Sequence, residues 1–354
     1  MRNLASIQRI TDLQPIEGKD RIVLATVLGW RVIVKKDEFQ VGDQCVYVEV
    51  DSQLPEKPEF EFLRSKNFRI KTMKMAGVIS QGICFSTDIL PKRNAAYSDG
   101  DDVTDLLGIT KYDPYQNEEP QSAPQKKNPL MRYKWYRRIV LRKQKRKGGF
   151  PSFISKTDET RIQSAPWYLK DREHTYVATE KIDGTSGTWA LVRHKRFLVK
   201  DRFEFIVCSR NMRLNRDNSI YWQVADAYQI ENALKNLIQK RDWIAIQGEC
   251  IGPKVQGNKY KVTAPKMYVF NLVTPDGRVG SLKARGILST LGFDFVPIVD
   301  ESFMLPETVE EMLEHAHGQS AIGDTIREGL VVRSKDGKQS FKAVDPKFLL
   351  KYNE

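Results

Sequence analysis

Cysteine and histidine are both scarce in this chain, with four of each in 354 residues. Cys45, Cys84, Cys208 and Cys250 form no C-x-x-C pair, which argues against a zinc site and for a reducing compartment. His174, His194, His315 and His317 are dispersed. The last two flank Ala316 beside Glu314, but no third ligand stands near them in sequence. Long apolar runs are also missing: nothing approaches the roughly eighteen residues of a membrane span. The first residues, Met1-Arg-Asn-Leu-Ala-Ser6, lack the apolar stretch of a signal peptide. These absences predict a soluble protein of the cell interior, in cytoplasm or nucleus, with no membrane partner.

Apolar residues make up 40% of the chain and aromatics 10%, enough for a sizeable core, and the length suits two domains. The net charge of +12 is concentrated. Residues 126–147 hold eleven Lys or Arg and no acid, so nearly all of the excess lies there. Tyr133, Trp135 and Tyr136 are interleaved with those cations. Such a run suits a phosphate backbone with bases stacked on the rings, and equally a solvated basic linker.

The beginning of the chain is rich in strand patterns. Arg21–Leu28, Trp30–Val34 and Gln44–Val50 carry alternating β-branched and aromatic residues, separated by Gly29 and by the turn Val41-Gly-Asp43. Gly82–Phe85 reads as a later strand. Short strands at this spacing predict a small barrel of the oligonucleotide-binding (OB) type. The segment Gln116–Pro124 is polar and contains two prolines, as a connector would. The expected division is an OB domain over 1–110, a basic arm over 111–150 and a second domain over 151–354. In that second domain, apolar residues at 224, 227, 230, 234, 237 and 238 predict a helix from Trp222 to Lys240. Pro306 to His317 predicts another, with Pro at its first turn.

The chemistry is concentrated at Lys181-Ile-Asp-Gly184. A strand pattern, Thr175-Tyr-Val-Ala-Thr-Glu180, leads into the lysine, and glycines follow at 184 and 187. A strand-end lysine beside an aspartate and a glycine turn suits covalent nucleotidyl transfer: the amine attacks phosphorus, and the turn admits phosphate oxygens to the backbone. Alone, the tetrapeptide is a weak signal. Five further sites follow in order: Ser209-Arg210-Asn211 after a strand, Ile246-Gln-Gly-Glu249 at the end of the strand that begins at Trp243, Tyr268-Val-Phe270-Asn271, Arg327-Glu328-Gly through Arg333, and Ser340-Phe-Lys342-Ala-Val344. Upstream stands Lys156-Thr-Asp-Glu-Thr-Arg161-Ile-Gln163. In that segment Thr157 or Asp158 is also placed to cap a short helix.

This ordered set resembles the covalent nucleotidyltransferase superfamily over residues 150–354. The Lys156–Gln163 segment resembles nick-sealing ATP-dependent RNA ligases. Pro15–Asp20 and Asp51–Pro55 resemble the OB domain of one RNA ligase group, the Naegleria type. The resemblance implies a fold of an N-terminal OB-type β-barrel followed by an α+β nucleotidyltransferase domain of antiparallel sheets with flanking helices. It implies ATP and Mg²⁺ or Mn²⁺ as cofactors and a nick in an RNA or RNA/DNA duplex as substrate, acted on by a monomer. Lys181 would be the nucleophile, and Asp183, Glu249 and Glu328 would face the metal. Lys342 would contact the α-phosphate. Glu180, Lys156, Arg161 and Arg210 would reach the nucleotide, and Tyr268 or Phe270 would stack on adenine unless both serve the core. Relatives carry a second lysine where this chain has Val344; Lys347 and Lys351 are the nearby substitutes.

Two other readings stand beside this one. DNA ligases and capping guanylyltransferases carry their OB domain after the last motif, and here only ten residues follow Val344. The OB-like region comes first instead, which disfavours both. A non-catalytic binder of nucleic-acid ends, with a degenerate ligase domain, is favoured by Val344 alone.

Overall fold

A computed structural model describes residues 3–91, 96–112 and 149–352. The basic run at 126–147, its aromatics and the segment Gln116–Pro124 lie outside the described residues. Among the described residues no helix is long and apolar enough to cross a membrane, and all four cysteines are free and buried.

The N-terminal region is a curled antiparallel sheet. Its strands are β1 (Ala5–Ile16), β2 (Lys19–Val27), β3 (Trp30–Lys35), β4 (Gln44–Val48) and β5 (Ile83–Phe85), in the order β3-β2-β1-β4-β5. The twelve-residue β1 serves both halves. Ala5–Arg9 pairs with β4, Ile10–Ile16 pairs with β2, and the register shifts between Ile10 and Asp12. A bulge of this kind bends a strand and lets the sheet curl. One core packs Trp30, Tyr47, Val27 and Cys45; the other packs Ile7, Val46, Phe60 and Leu107. Residues 96–112 return to this domain: Thr104 Oγ1 accepts from the N–H groups of Leu4 and Ala5, and Thr110–Lys111 pairs with Ser52–Gln53.

The second region is built from β6 (Thr160–Arg161), β7 (Tyr176–Lys181), β8 (Thr185–His194), β9 (Arg202–Cys208) and β10 (Trp243–Ile251). After these come β11 (Lys266–Thr274), β12 (Gly277–Arg278), β13 (Ile298–Phe303), β14 (Gly329–Ser334) and β15 (Ser340–Val344). They form two five-stranded sheets, β6-β15-β14-β7-β13 and β9-β8-β10-β11-β12. All pairings are antiparallel except β6 with β15.

Five helices accompany these sheets: α1 (Ile220–Ala227), α2 (Ile230–Ile238), α3 (Ser281–Ser289), α4 (Val309–Ala316) and α5 (Pro346–Tyr352). The first three bury Val224, Ile230, Leu234 and Leu288 against the second sheet, while α4 packs Val309 and Met312 on the first.

Three local expectations change. The single helix at Trp222–Lys240 is two, because Gln229 adopts a left-handed backbone, φ 47°. Both pieces face one core, so the apolar spacing runs through the break. Pro306 lies outside α4: Thr308 caps it, and the Glu311 side chain returns to the Thr308 N–H, so a capping box sets the start. Neither Thr157 nor Asp158 caps a helix; the chain enters β6, and a short 3₁₀ turn at Ile162–Ser164 begins only after it.

The two regions are joined by polar contacts. Gly29 N–H donates to Gln163 O at 2.9 Å, and a side chain at Gly29 would meet Gln163 Cα at 3.0 Å. Trp30 Nε1 donates to Ser164 Oγ at 3.2 Å, which itself donates to Glu49 Oε1 at 2.5 Å. Arg161 Nη2 donates to Asp51 Oδ2 at 2.8 Å.

Candidate active site

Lys181 is the last residue of β7, in the first sheet, and Thr185 is the first of β8, in the second. The Ile182-Asp-Gly184 turn is therefore the crossover between the sheets. Its glycine has a steric reason. A Cβ at Gly184 would run into the Cys250 carbonyl and stand 3.0 Å from Glu249 Cγ, so only glycine lets the turn lie against β10. Between the sheets is a cavity of about 390 Å³, within the range of nucleotide-sized sites.

The Lys181 amine donates to Glu328 Oε2 at 2.6 Å. Burial disfavours its charge, but Glu328 and Glu249 outweigh that and hold the ammonium above the usual lysine range. Glu249 behaves oppositely: burial pushes its carboxyl up to about 7, against the pull of Lys181 and the Ser186 hydroxyl, which donates to Oε2 at 2.9 Å. Asp183 is turned toward Lys259, whose Nζ lies 5.1 Å from the Phe348 ring centroid and 4.7 Å from that of Tyr352 on α5. The Asp183 N–H donates to Tyr260 Oη at 2.8 Å.

Among the described residues, no three His, Cys, Asp or Glu side chains are grouped to enclose a metal ion. The residues still fit one. Glu249 and Glu328 are hard oxygen donors that both line the cavity, and Mg²⁺-type ions are held by one or two carboxylates plus substrate phosphates rather than by a protein cage.

A second cluster centres on the upstream segment. Asp158 pairs with Lys342 (3.1 Å), Lys111 (3.0 Å) and Arg210 (3.0 Å). Burial opposes its charge, yet these three cations hold its carboxyl far below the usual range. Glu159 pairs with Arg333 at 3.3 Å and Arg278 at 3.4 Å, and accepts from the Ser340 hydroxyl. The parallel β6–β15 pairing sets Arg161 opposite Lys342. Glu180 is buried and accepts from Ser320 Oγ at 2.5 Å and Ala321 N–H at 2.9 Å; burial nonetheless raises its pKa.

The cavity brings together Glu180, Lys181, Asp183, Arg161, Arg210, Glu249, Phe270, Glu328 and Lys342. Lys156 and Tyr268 are not in its lining: Lys156 is exposed, and Tyr268 packs in the seam with Ile251 and Tyr260. Glu249 lies inside β10, which runs on to Ile251, rather than at its end. Val344 is buried in a core with Phe348 and Leu349, and neither Lys347 nor Lys351 lines the cavity. Sequence reasoning missed Asp51, Arg69, Lys111 and Tyr112, which reach the cavity from the N-terminal region. Asp51 lies in the OB-like segment Asp51–Pro55; the other three carry no pattern of their own. It also missed the ion pairs of Asp158, Glu159 and Arg333, although these stand inside the Lys156–Gln163 and Arg327–Arg333 motifs.

Residues 174–352 match the RNA ligase family and residues 4–87 match an OB-fold domain family. A solved structure of Naegleria gruberi RNA ligase with pyrophosphate is 32% identical, with a TM-score of 0.81 over 100% of this chain and 99% of that one. A mutant of the same ligase with ATP and manganese is 30% identical, TM-score 0.81, over 100% of both chains. Another mutant, without ligand, gives 30% and 0.82 over 99% and 98%. No curated protein matches the sequence. This chain belongs to the RNA ligase family.

Proposed function

We propose that this protein is an ATP-dependent RNA ligase that seals a 3′-OH RNA end to a 5′-phosphate at a nick in an RNA or RNA/DNA duplex, through a lysyl-AMP intermediate. In this reading residues 1–110 are the OB domain, 111–150 the basic arm and 151–354 the adenylyltransferase domain. The protein acts as a monomer inside the cell. The observation that carries the reading is a lysine at a sheet-to-sheet crossover, 2.6 Å from a glutamate, in a cavity lined by matched acids and cations. The Naegleria ligase structures with ATP and manganese support the cofactors.

Lys181 Nζ attacks the α-phosphorus of ATP, the bond to the β-phosphate oxygen breaks, and pyrophosphate leaves. Glu328 Oε2 is the nearest proton acceptor for the ammonium, which must lose a proton before it attacks. A divalent cation held by Glu249 and Glu328 would neutralise charge on the phosphate and weaken the hold on the ammonium proton. Asp183, gripped by Lys259 and Tyr260, fixes the crossover that aims the amine. Lys342 and Arg210 exchange Asp158 for phosphate oxygens. Ile182, Val296, Phe270 and Val331 supply the apolar wall for a base. An oxygen of the 5′-phosphate end then attacks the AMP phosphorus and frees Lys181. Last, the 3′-OH attacks the activated 5′-phosphorus and AMP leaves.

Incubation with α-labelled ATP and Mn²⁺ is expected to label the parent chain, and Lys181→Ala is expected to take no label. Label persisting on Lys181→Ala would remove Lys181 as nucleophile.

A further inference from the structure

Most cations in the cavity lining already face a carboxylate. Lys181 has Glu328, Lys342 and Arg210 have Asp158, Arg161 has Asp51, and Arg333 has Glu159. Arg69 differs in one respect: among the described residues no carboxylate stands within ion-pair distance of its guanidinium. Its Nε, like those of Arg161 and Arg333, is buried without a hydrogen-bond partner. Its Cζ lies 3.8 Å from the Tyr112 ring centroid.

The backbone holds that position firmly. Phe68 and Ile70, on either side, are both buried in the N-terminal core. Leu54 N–H donates to Phe68 O at 2.9 Å, and Ile70 N–H donates to Ser52 O at 2.9 Å. Tyr112 is tied to the same strand by its N–H, which donates to Asp51 O at 2.7 Å. The alternation therefore leaves Arg69 facing the cavity on a rigid mount, with its planar face covered and its donors unspent. A buried donor without a partner is costly unless a ligand supplies one.

We propose that Arg69, braced by Tyr112, is a phosphate-binding residue that the N-terminal domain contributes to the active site. The proposal rests on the ligase reading above. A guanidinium fork suits phosphate oxygens, and a cation with no local acid needs no exchange of partners to take one. Two sources of phosphate oxygens enter this cavity during ligation: the β,γ-phosphates of ATP, and the 5′-phosphate of the nucleic-acid end.

The test uses the full chain, Arg69→Ala and Arg69→Lys. In one arm the rate of adenylylation is followed against ATP concentration. In the other, adenylylated protein is titrated with nicked duplexes ending in 5′-phosphate or 5′-hydroxyl. Arg69→Ala is expected to lose about 10- to 100-fold in one arm, the worth of a charged hydrogen bond, with partial recovery in Arg69→Lys. A raised KM for ATP assigns the triphosphate tail. Loss of the preference for 5′-phosphate over 5′-hydroxyl assigns the nucleic-acid end. Values within twofold of the parent in both arms would overturn the proposal. So would equal losses in the Ala and Lys variants accompanied by a lowered Tm, which would mark a structural role. If the parent chain itself takes no label, the ligase reading fails. Arg69 is then judged by calorimetric titration with tripolyphosphate, where unchanged affinity in Arg69→Ala would overturn it.

Discussion

The two walls of the cavity are charged in different ways. The wall from the nucleotidyltransferase domain is self-neutralising: its lining cations face carboxylates, with Glu328 on Lys181, Asp158 on Lys342 and Arg210, and Glu159 on Arg333. On the N-terminal wall Lys111 and Asp51 are paired across the cavity with Asp158 and Arg161, but Arg69 lies on a tyrosine ring with, among the described residues, no carboxylate within ion-pair distance. A balanced wall is stable when empty but must break ion pairs to bind, so its ligand has to bring both phosphate for the cations and metal for the acids. An unbalanced wall binds anions directly. The contrast predicts that substitutions on the first wall damage chemistry, while those on the second damage affinity.

The largest effect expected beyond loss of the nucleophile is at Glu328. Glu328→Ala removes the nearest acceptor of the Lys181 proton and, in the proposed function, one of the two carboxylates that would hold the metal. We expect adenylylation to fall at least about a hundredfold, with a KM for ATP that changes far less. A near-normal rate in single-turnover kinetics would remove Glu328 from the chemistry and erase the contrast between the walls.

Next in size is a pH effect through Glu249. Its carboxyl is raised to about 7 in the fold, from about 4.3 in a free chain. The protonated form is thus the favoured one in the fold. This contribution to stability is complete below about pH 4 and is lost as pH rises through about 7. A metal needs the ionised form, so Mn²⁺ affinity should drop about fivefold from pH 7 to pH 6 and level off above pH 8. Glu249→Gln should flatten that dependence. A parent chain whose Mn²⁺ affinity is already flat between pH 6 and 8 would contradict the assignment.

The smallest effect tests the scaffold alone. Thr308→Ala breaks the capping box of α4, remote from both walls, and should cost about 1 kcal/mol in denaturant unfolding. Its adenylylation rate should match the parent's.

Much of the catalytic wall was legible in the sequence because its residues sit at strand ends, where period-two patterns and glycine turns mark them. Lys181 and Glu328 fall at or beside such ends, while Lys342 is the middle residue of β15 and was legible from its alternating strand pattern. The turn at Gly184 even shows why its glycine is required. The N-terminal wall was hidden for the opposite reason. Arg69 and Lys111 are single cations in irregular or two-residue elements, and they reach the cavity only through long-range pairing of Ser52–Gln53 with Thr110–Lys111 and of Gln53 with Arg69. No local pattern encodes that. The break at Gln229 escaped for a related reason: a non-glycine residue in a left-handed conformation leaves no signature when both flanking helices face one core. Lys156 and Tyr268 show the converse limit, since a residue inside a recognisable segment need not point into the site.

The central claim, that this cavity forms lysyl-AMP and passes it to an RNA nick, is tested most directly by one labelling experiment. The full chain is loaded with α-labelled ATP and Mn²⁺, then given a 5′-phosphate nick with RNA or DNA at the 3′-OH side. The account predicts a labelled protein that discharges and yields sealed product with the RNA 3′-OH. A chain that takes no label from ATP, or that seals only the DNA 3′-OH, would contradict it.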